Sequence, residues 1–276
     1  MRDTSECVPF GAAVKASFSF SMDAFVQNRR NLVAAVLLGL PVVFAVFYRV
    51  IGFVWPGRVG DALETYGQIV SLYLMRQGVP LPAPVPLVAL FLASSLVADE
   101  VEGKTITYLL TRPLSRVAIF IGKLGAYLFG SAALALPSVV LTFLILSSRA
   151  GLSAVGAHSL AMLRDLLVVF LGLAVYGALF ALVGILLRRP VLPGLAFLFA
   201  WETLASLPGW FPRLTIAAWL RPLIPYAIPV QGIEALLGVP PSLPVGTSIA
   251  VLVVLTLLLS FLAARIFSRR EYVLGQ

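Results

Sequence analysis

The chain has 276 residues, of which 60% are hydrophobic and 12% charged, with a mean hydropathy of +1.01. A soluble globular domain cannot hide that much apolar side chain, so the composition describes a polytopic membrane protein. The net charge of +8 does not point to nucleic acid, because Lys and Arg gather at the ends of apolar segments, where they orient a chain in a bilayer.

The single cysteine, Cys7, and single histidine, His158, rule out an intramolecular disulfide and leave no metal-ligand set. No cleavable signal is expected, since Asp3 and Glu6 precede any apolar core. Phe10, Val14, Phe18, Met22 and Phe25 then recur at helical spacing among Lys15, Ser21, Asp23 and Gln27. This pattern predicts an amphipathic elbow helix over residues 10–30 that lies along the membrane surface and turns into the bilayer near Arg29 and Arg30.

Windows of about 20 residues, the length that spans hydrocarbon as a helix, predict six transmembrane helices. They are Leu32 to Val54, Val79 to Ala98, Val117 to Leu146, Leu166 to Leu187, Val191 to Leu207 and Ser248 to Phe267. Pro80, Pro82, Pro84 and Pro86 confine the start of the second to an extended lead-in or a first helical turn. The third is longer than the bilayer core, so its first turns should protrude. Pro41 and Pro137 are expected to kink spans one and three. With six spans both termini share one side, which with the 2–3 and 4–5 loops collects 13 of the 20 Lys and Arg residues. That side is assigned to the cytoplasm.

Between spans two and three, Ile106, Leu109 and Leu110 stand at i, i+3 and i+4, with Glu102, Lys104 and Arg112 around them. This predicts a short helix with one apolar stripe, ended by Pro113 and followed by a helix that Ser115 caps. Too little polar sequence remains in the chain to cover the stripe, so its cover is expected to be another protein. Residues 208–247, broken by eight prolines and carrying Trp210, Phe211, Trp219 and Tyr226, predict re-entrant or interfacial helices on the outer side.

Catalytic motifs are missing. Gly103, Lys104 and Thr105 mimic the tail of a P-loop, but Ala98 stands where its first glycine is required. There is no H-E-x-x-H or G-x-S-x-G, and one histidine leaves no triad. No enzymatic activity is therefore expected of this chain. Glu202 reads as the one acidic residue well inside a span, near the bilayer centre. Two roles suit it: a polar contact at a subunit interface or transport path, or the favoured one, a hydrogen-bonded tie from span five to a neighbouring helix. Arg49 and Lys123, near the ends of their spans, are expected to snorkel.

The segment from Leu96 to Lys123, LVADEVEGKTITYLLTRPLSRVAIFIGK, resembles the 2–3 loop of ABC-2 type transporter permeases. The resemblance extends to the elbow helix, the six spans, the pair Trp201–Glu202 and the terminal run from Arg269 to Leu274. It implies an all-α polytopic membrane protein, residues 1–276 forming a single transmembrane domain, that serves as the membrane subunit of a type V ABC exporter. The loop over residues 99–116 would act as the coupling helix in a groove of a separate ATPase. That role falls on Asp99, Glu100, Glu102, Gly103, Lys104, Thr105, Ile106, Tyr108, Leu109, Leu110, Arg112, Pro113 and Arg116. The implied partners are two copies of an ABC ATPase, which carry the ATP and Mg, a second permease subunit in a homodimer, accessory proteins and membrane lipid. No cofactor is implied on this chain, and the implied place is the inner membrane with both termini cytoplasmic. A secondary transporter or channel is the alternative, disfavoured because no inverted repeat and few intramembrane charges are evident.

Overall fold

A computed structural model describes residues 9–54 except 28, 62–74, 83–102, 115–148, 155–202 except 157 and 188, then 204, 210–224, 226 and 243–269. Every element among them is helical. The order is α1 (Phe10–Gln27), α2 (Arg29–Val54), α3 (Ala62–Leu74), α4 (Pro84–Glu102), α5 (Arg116–Ser147), α6 (Ser159–Leu186) and α7 (Val191–Ala196), which runs on as a π-helical turn over Phe197–Trp201. Beyond it come a 3-10 turn (Phe211–Leu214), α8 (Ile216–Leu220), a second 3-10 turn (Arg221–Leu223) and α9 (Val245–Arg269).

Four of these helices, α2, α5, α6 and α9, are long and apolar enough to cross a membrane, and two shorter apolar helices, Pro84–Leu96 and Val191–Trp201, stand where spans two and five were expected. Pro84 opens α4 at its first position, where a missing N–H costs nothing. Helix α6 is central and packs on α4, α5 and α9. Three of its glycines allow that approach: a side chain at Gly172 would strike Leu74, one at Gly177 Tyr127, and one at Gly184 the Ser94 backbone. Helices α2 and α9 leave long rows exposed, including Phe44, Phe47, Phe53, Leu257 and Phe261, which a lipid environment accommodates.

Helix α5 has 32 residues and passes through Pro137, roughly 48 Å at 1.5 Å per residue. Helix α1 runs beside its first half. Ser17 Oγ donates to the Ile119 carbonyl at 2.9 Å, Phe18 meets Phe129 edge-on at 6.1 Å, and Phe25 lies over Gly130. The face of α1 that includes Ala13 and Ser17 is thus buried against α5 rather than resting on headgroups. Gly122 and Gly130 have no Cβ to keep the two helices apart.

The sequence windows also missed α3. Its Tyr66, Val70 and Tyr73 are completely buried, and Tyr73 shares a hydrogen bond of 2.6 Å with Ser138 of α5. Ser138 in turn donates to the Leu38 carbonyl of α2, so a polar thread joins α3, α5 and α2 inside an apolar bundle.

Candidate functional site

The expected functional residues that are described, Asp99, Glu100, Glu102, Arg116 and Glu202, fall at opposite ends of the bundle. At the end bearing α1 and the last turn of α9, Asp99, Glu100 and Glu102 belong to the last turns of α4 rather than to a loop, since the helix continues to Glu102. Gly103, Lys104, Thr105, Ile106, Tyr108, Leu109, Leu110, Arg112 and Pro113, and with them the expected coupling helix, lie outside the described residues. The base from which they leave is well defined. Ser115 caps α5 as expected, its hydroxyl accepting from Ala118 N at 3.3 Å. Arg116 Nη1 donates to the Ser268 carbonyl near the end of α9 at 3.3 Å.

Lys123 does not snorkel. It is 3% exposed and its Nζ donates to the Leu96 carbonyl of α4 at 3.2 Å. A buried ammonium needs such acceptors, and this one joins the helix entering the 103–114 segment to the helix leaving it. Arg49, by contrast, is exposed near the far end of α2.

The opposite end holds two carboxyl groups. Glu202 is where the helical turn Phe197–Trp201 stops, not at the middle of a long span. Its Oε2 accepts from Ala217 N of α8 at 3.2 Å, and the Tyr176 phenol of α6 lies beside the carboxyl. Next to it, Trp201 Nε1 donates to the Leu214 carbonyl at 3.1 Å. These bonds fasten the segment 210–224 to the end of the helical turn Phe197–Trp201.

The second group is Asp165, which the sequence windows left just outside span four. Helix α6 begins at Ser159, so Asp165 falls in its second turn on the same face as Val168, Val169 and Gly172, and it is completely buried. Its Oδ2 accepts from the Tyr66 hydroxyl and from the Tyr226 hydroxyl, each at 2.9 Å, while Oδ1 has no hydrogen-bond partner among the described residues. Burial, and after it the Asp165 charge, push the Tyr226 phenol pKa up, so this hydroxyl stays a donor at neutral pH. Tyr226 therefore faces inward, whereas Trp210 and Phe211 stack on each other at 4.7 Å on the exposed side. The i, i+3, i+4, i+7 spacing of Asp165 with Val168, Val169 and Gly172 was the sequence signal that could have found it.

Among the described residues no group of three or more His, Cys, Asp or Glu side chains is arranged to hold a metal ion. The arrangement offers hydrogen-bond fastening at both ends of a membrane bundle. A search of curated proteins found no match. A family model described as a protein of unknown function, DUF2705, matches residues 22–273, nearly the whole chain, and the protein belongs to that family.

Proposed function

We propose that the protein is the transmembrane permease subunit of an ATP-binding cassette exporter of the ABC-2 type, moving substrate with ATP hydrolysed on a separate chain. In this reading the two shorter apolar helices complete six spans, both termini and the segment 99–116 are cytoplasmic, and residues 208–247 form the outer re-entrant region. Two permeases pair through spans one and five, where the exposed Ala196 allows close approach while Gly194 is taken up by Leu90 of the same chain, and each engages one ATPase. The carrying observation is the ABC-2-like run from Leu96 to Lys123, whose two ends lie on helices that Lys123 joins directly. Arg116 anchors the exit to α9, and α1 braces the first half of α5, so a push on the loop would reach the bundle through a stiff lever.

Ile106, Leu109 and Leu110 would insert into an apolar groove of the ATPase, with Asp99, Glu100, Glu102 and Arg112 setting the register at its rim. Leu109→Asp would bury an unpaired charge there, at a cost on the order of several kcal/mol. The variant should insert in the membrane normally yet lose ATPase copurification or export. Wild-type levels of both would remove the reading.

One observation favours the alternative of an ion-coupled secondary transporter: Asp165 is a wholly buried carboxylate inside a spanning helix, which is a common ion-coupling arrangement. Transport that survives ATP depletion and collapses with the ion gradient would select it.

A further inference from the structure

Of the four long helices, only α2 and α5 carry a proline in their interior, Pro41 and Pro137. A proline has no N–H to give, so the carbonyls of Leu37 and Ala133, four residues back, lose their helical donors. A helix bends most easily at such a turn. The two weak points stand at one level. Ser138, next to Pro137, donates its hydroxyl to the Leu38 carbonyl, one turn before Pro41. The contacts of Ser17 with Ile119 and of Phe25 with Gly130 come earlier in both chains, so α1, α2 and α5 run in the same direction up to that level. Thr142 Oγ1 also turns back onto the Ser138 carbonyl at 2.8 Å, a bond that favours bending of the helix that makes it.

Helix α5 is gripped by different partners on the two sides of Pro137. Its first part holds α1: Ser17 bonds the Ile119 carbonyl, Val14 and Ser17 close over Gly122, and Phe25 closes over Gly130. Its second part holds α3: Tyr73 shares hydrogen bonds with Ser138 at 2.6 Å and Thr142 at 3.4 Å, and the Tyr66 ring meets Phe143 edge-on at 5.2 Å. Where the first part crosses α6, Tyr127 lies over the bare backbone of Gly177 and reaches the Leu173 carbonyl at 3.0 Å, with no side chain at Gly177 to lock it. We propose that α5 is a two-part lever that bends at Pro137, that α1 moves with its first part while α3 holds its second, and that the Ser138 hydroxyl couples this bend to a matching one at Pro41 of α2. The hinge rests on the transport reading for its purpose, since a push arriving at the first part must be turned into movement deeper in the bundle.

Distances between paired spin labels on the full-length protein in nanodiscs test it, in a Cys7→Ser background with every label at an exposed position. Ile121→Cys with Leu144→Cys brackets Pro137, and Val33→Cys with Phe53→Cys brackets Pro41. The equally spaced pair Leu163→Cys with Leu186→Cys is the control on α6, which has no proline. The α5 and α2 pairs should show broader distance distributions than the control. Pro137→Ala restores the missing N–H with a residue that favours helix. It should narrow the α5 distribution to the width of the control and, through Ser138, narrow the α2 distribution as well. In a Ser138→Ala background the same replacement should leave the α2 pair unchanged. An α5 pair that is no broader than the control, or that ignores Pro137→Ala, overturns the hinge. An α2 pair that ignores Pro137→Ala, or that responds equally without the Ser138 hydroxyl, overturns the coupling. A change in the α6 control also counts against the proposal, because it marks a general rearrangement. The measurement needs neither nucleotide nor ATPase, so its failure leaves the ATPase test of the preceding section standing, and the reverse holds equally.

Discussion

The two ends of the bundle are fastened by opposite chemistry. Where the chain leaves for residues 103–114, cationic side chains reach main-chain carbonyls, Lys123 to Leu96 and Arg116 to Ser268, and a helix is laid into glycine gaps along α5. At the far end, buried carboxyl groups collect donors, Asp165 from the Tyr66 and Tyr226 phenols and Glu202 from Ala217 N. A cation on a carbonyl beside closely packed backbone makes a stiff joint. A carboxylate that gathers phenol and amide donors instead ties distant segments through side-chain groups that could exchange them for water.

The sharpest way to break the comparison is to disturb the stiff end. A Cβ at Gly122 would stand 2.7 Å from the Ser17 Cβ and the Val14 carbonyl oxygen, so Gly122→Leu cannot be absorbed without moving α1 off α5 and losing the Ser17 bond to Ile119. Overpacking of this kind costs about 3 kcal/mol. A clear fall in the thermal unfolding midpoint of the purified protein is expected. A midpoint within error of wild type would show that α1 does not brace α5.

Asp165→Leu should come next in size. It strands the Tyr66 hydroxyl in a completely buried position, while the half-buried Tyr226 phenol turns to water. One orphaned buried donor costs about 2 kcal/mol, partly offset because a buried carboxylate is replaced by an apolar side chain. Asp165→Asn, which retains an acceptor oxygen, should lose less. If the two variants unfold at the same midpoint, the phenol bonds contribute nothing to stability and the far end is held by packing alone.

These residues also show where sequence reasoning reached and where it stopped. The α1 helix, the start of α4 at Pro84 and the Ser115 cap follow from local rules that tertiary structure did not overturn. Helix α3 escaped because its 13 residues are too few for a spanning window, and Glu64 and Gln68 dilute its apolar face. Asp165 escaped because a window scored on hydropathy starts after the last charge, at Leu166, although the helix itself starts at Ser159. Lys123 was misplaced for a related reason: a cation near the end of a span normally has water within reach, and here α4 covers it. Hydropathy locates lipid-facing length. It does not see which polar groups are answered by a neighbouring helix.

The smallest expected effect belongs to Glu202, and it separates a tie from a transport group. The carboxyl is fixed by Ala217 N at 3.2 Å, and an amide oxygen can accept that bond equally well. The Tyr176 phenol beside the carboxyl can accept from the amide nitrogen. Glu202→Gln should therefore shift stability by less than about 1 kcal/mol and leave transport near wild type. Glu202→Ala removes the acceptor as well, freeing the start of α8, and should cost about 1 kcal/mol more in a thermal melt. Loss of transport in Glu202→Gln with an unchanged melt would instead make the charge itself the working part of the residue. The far end would then hold an ion-responsive group as well as a fastening.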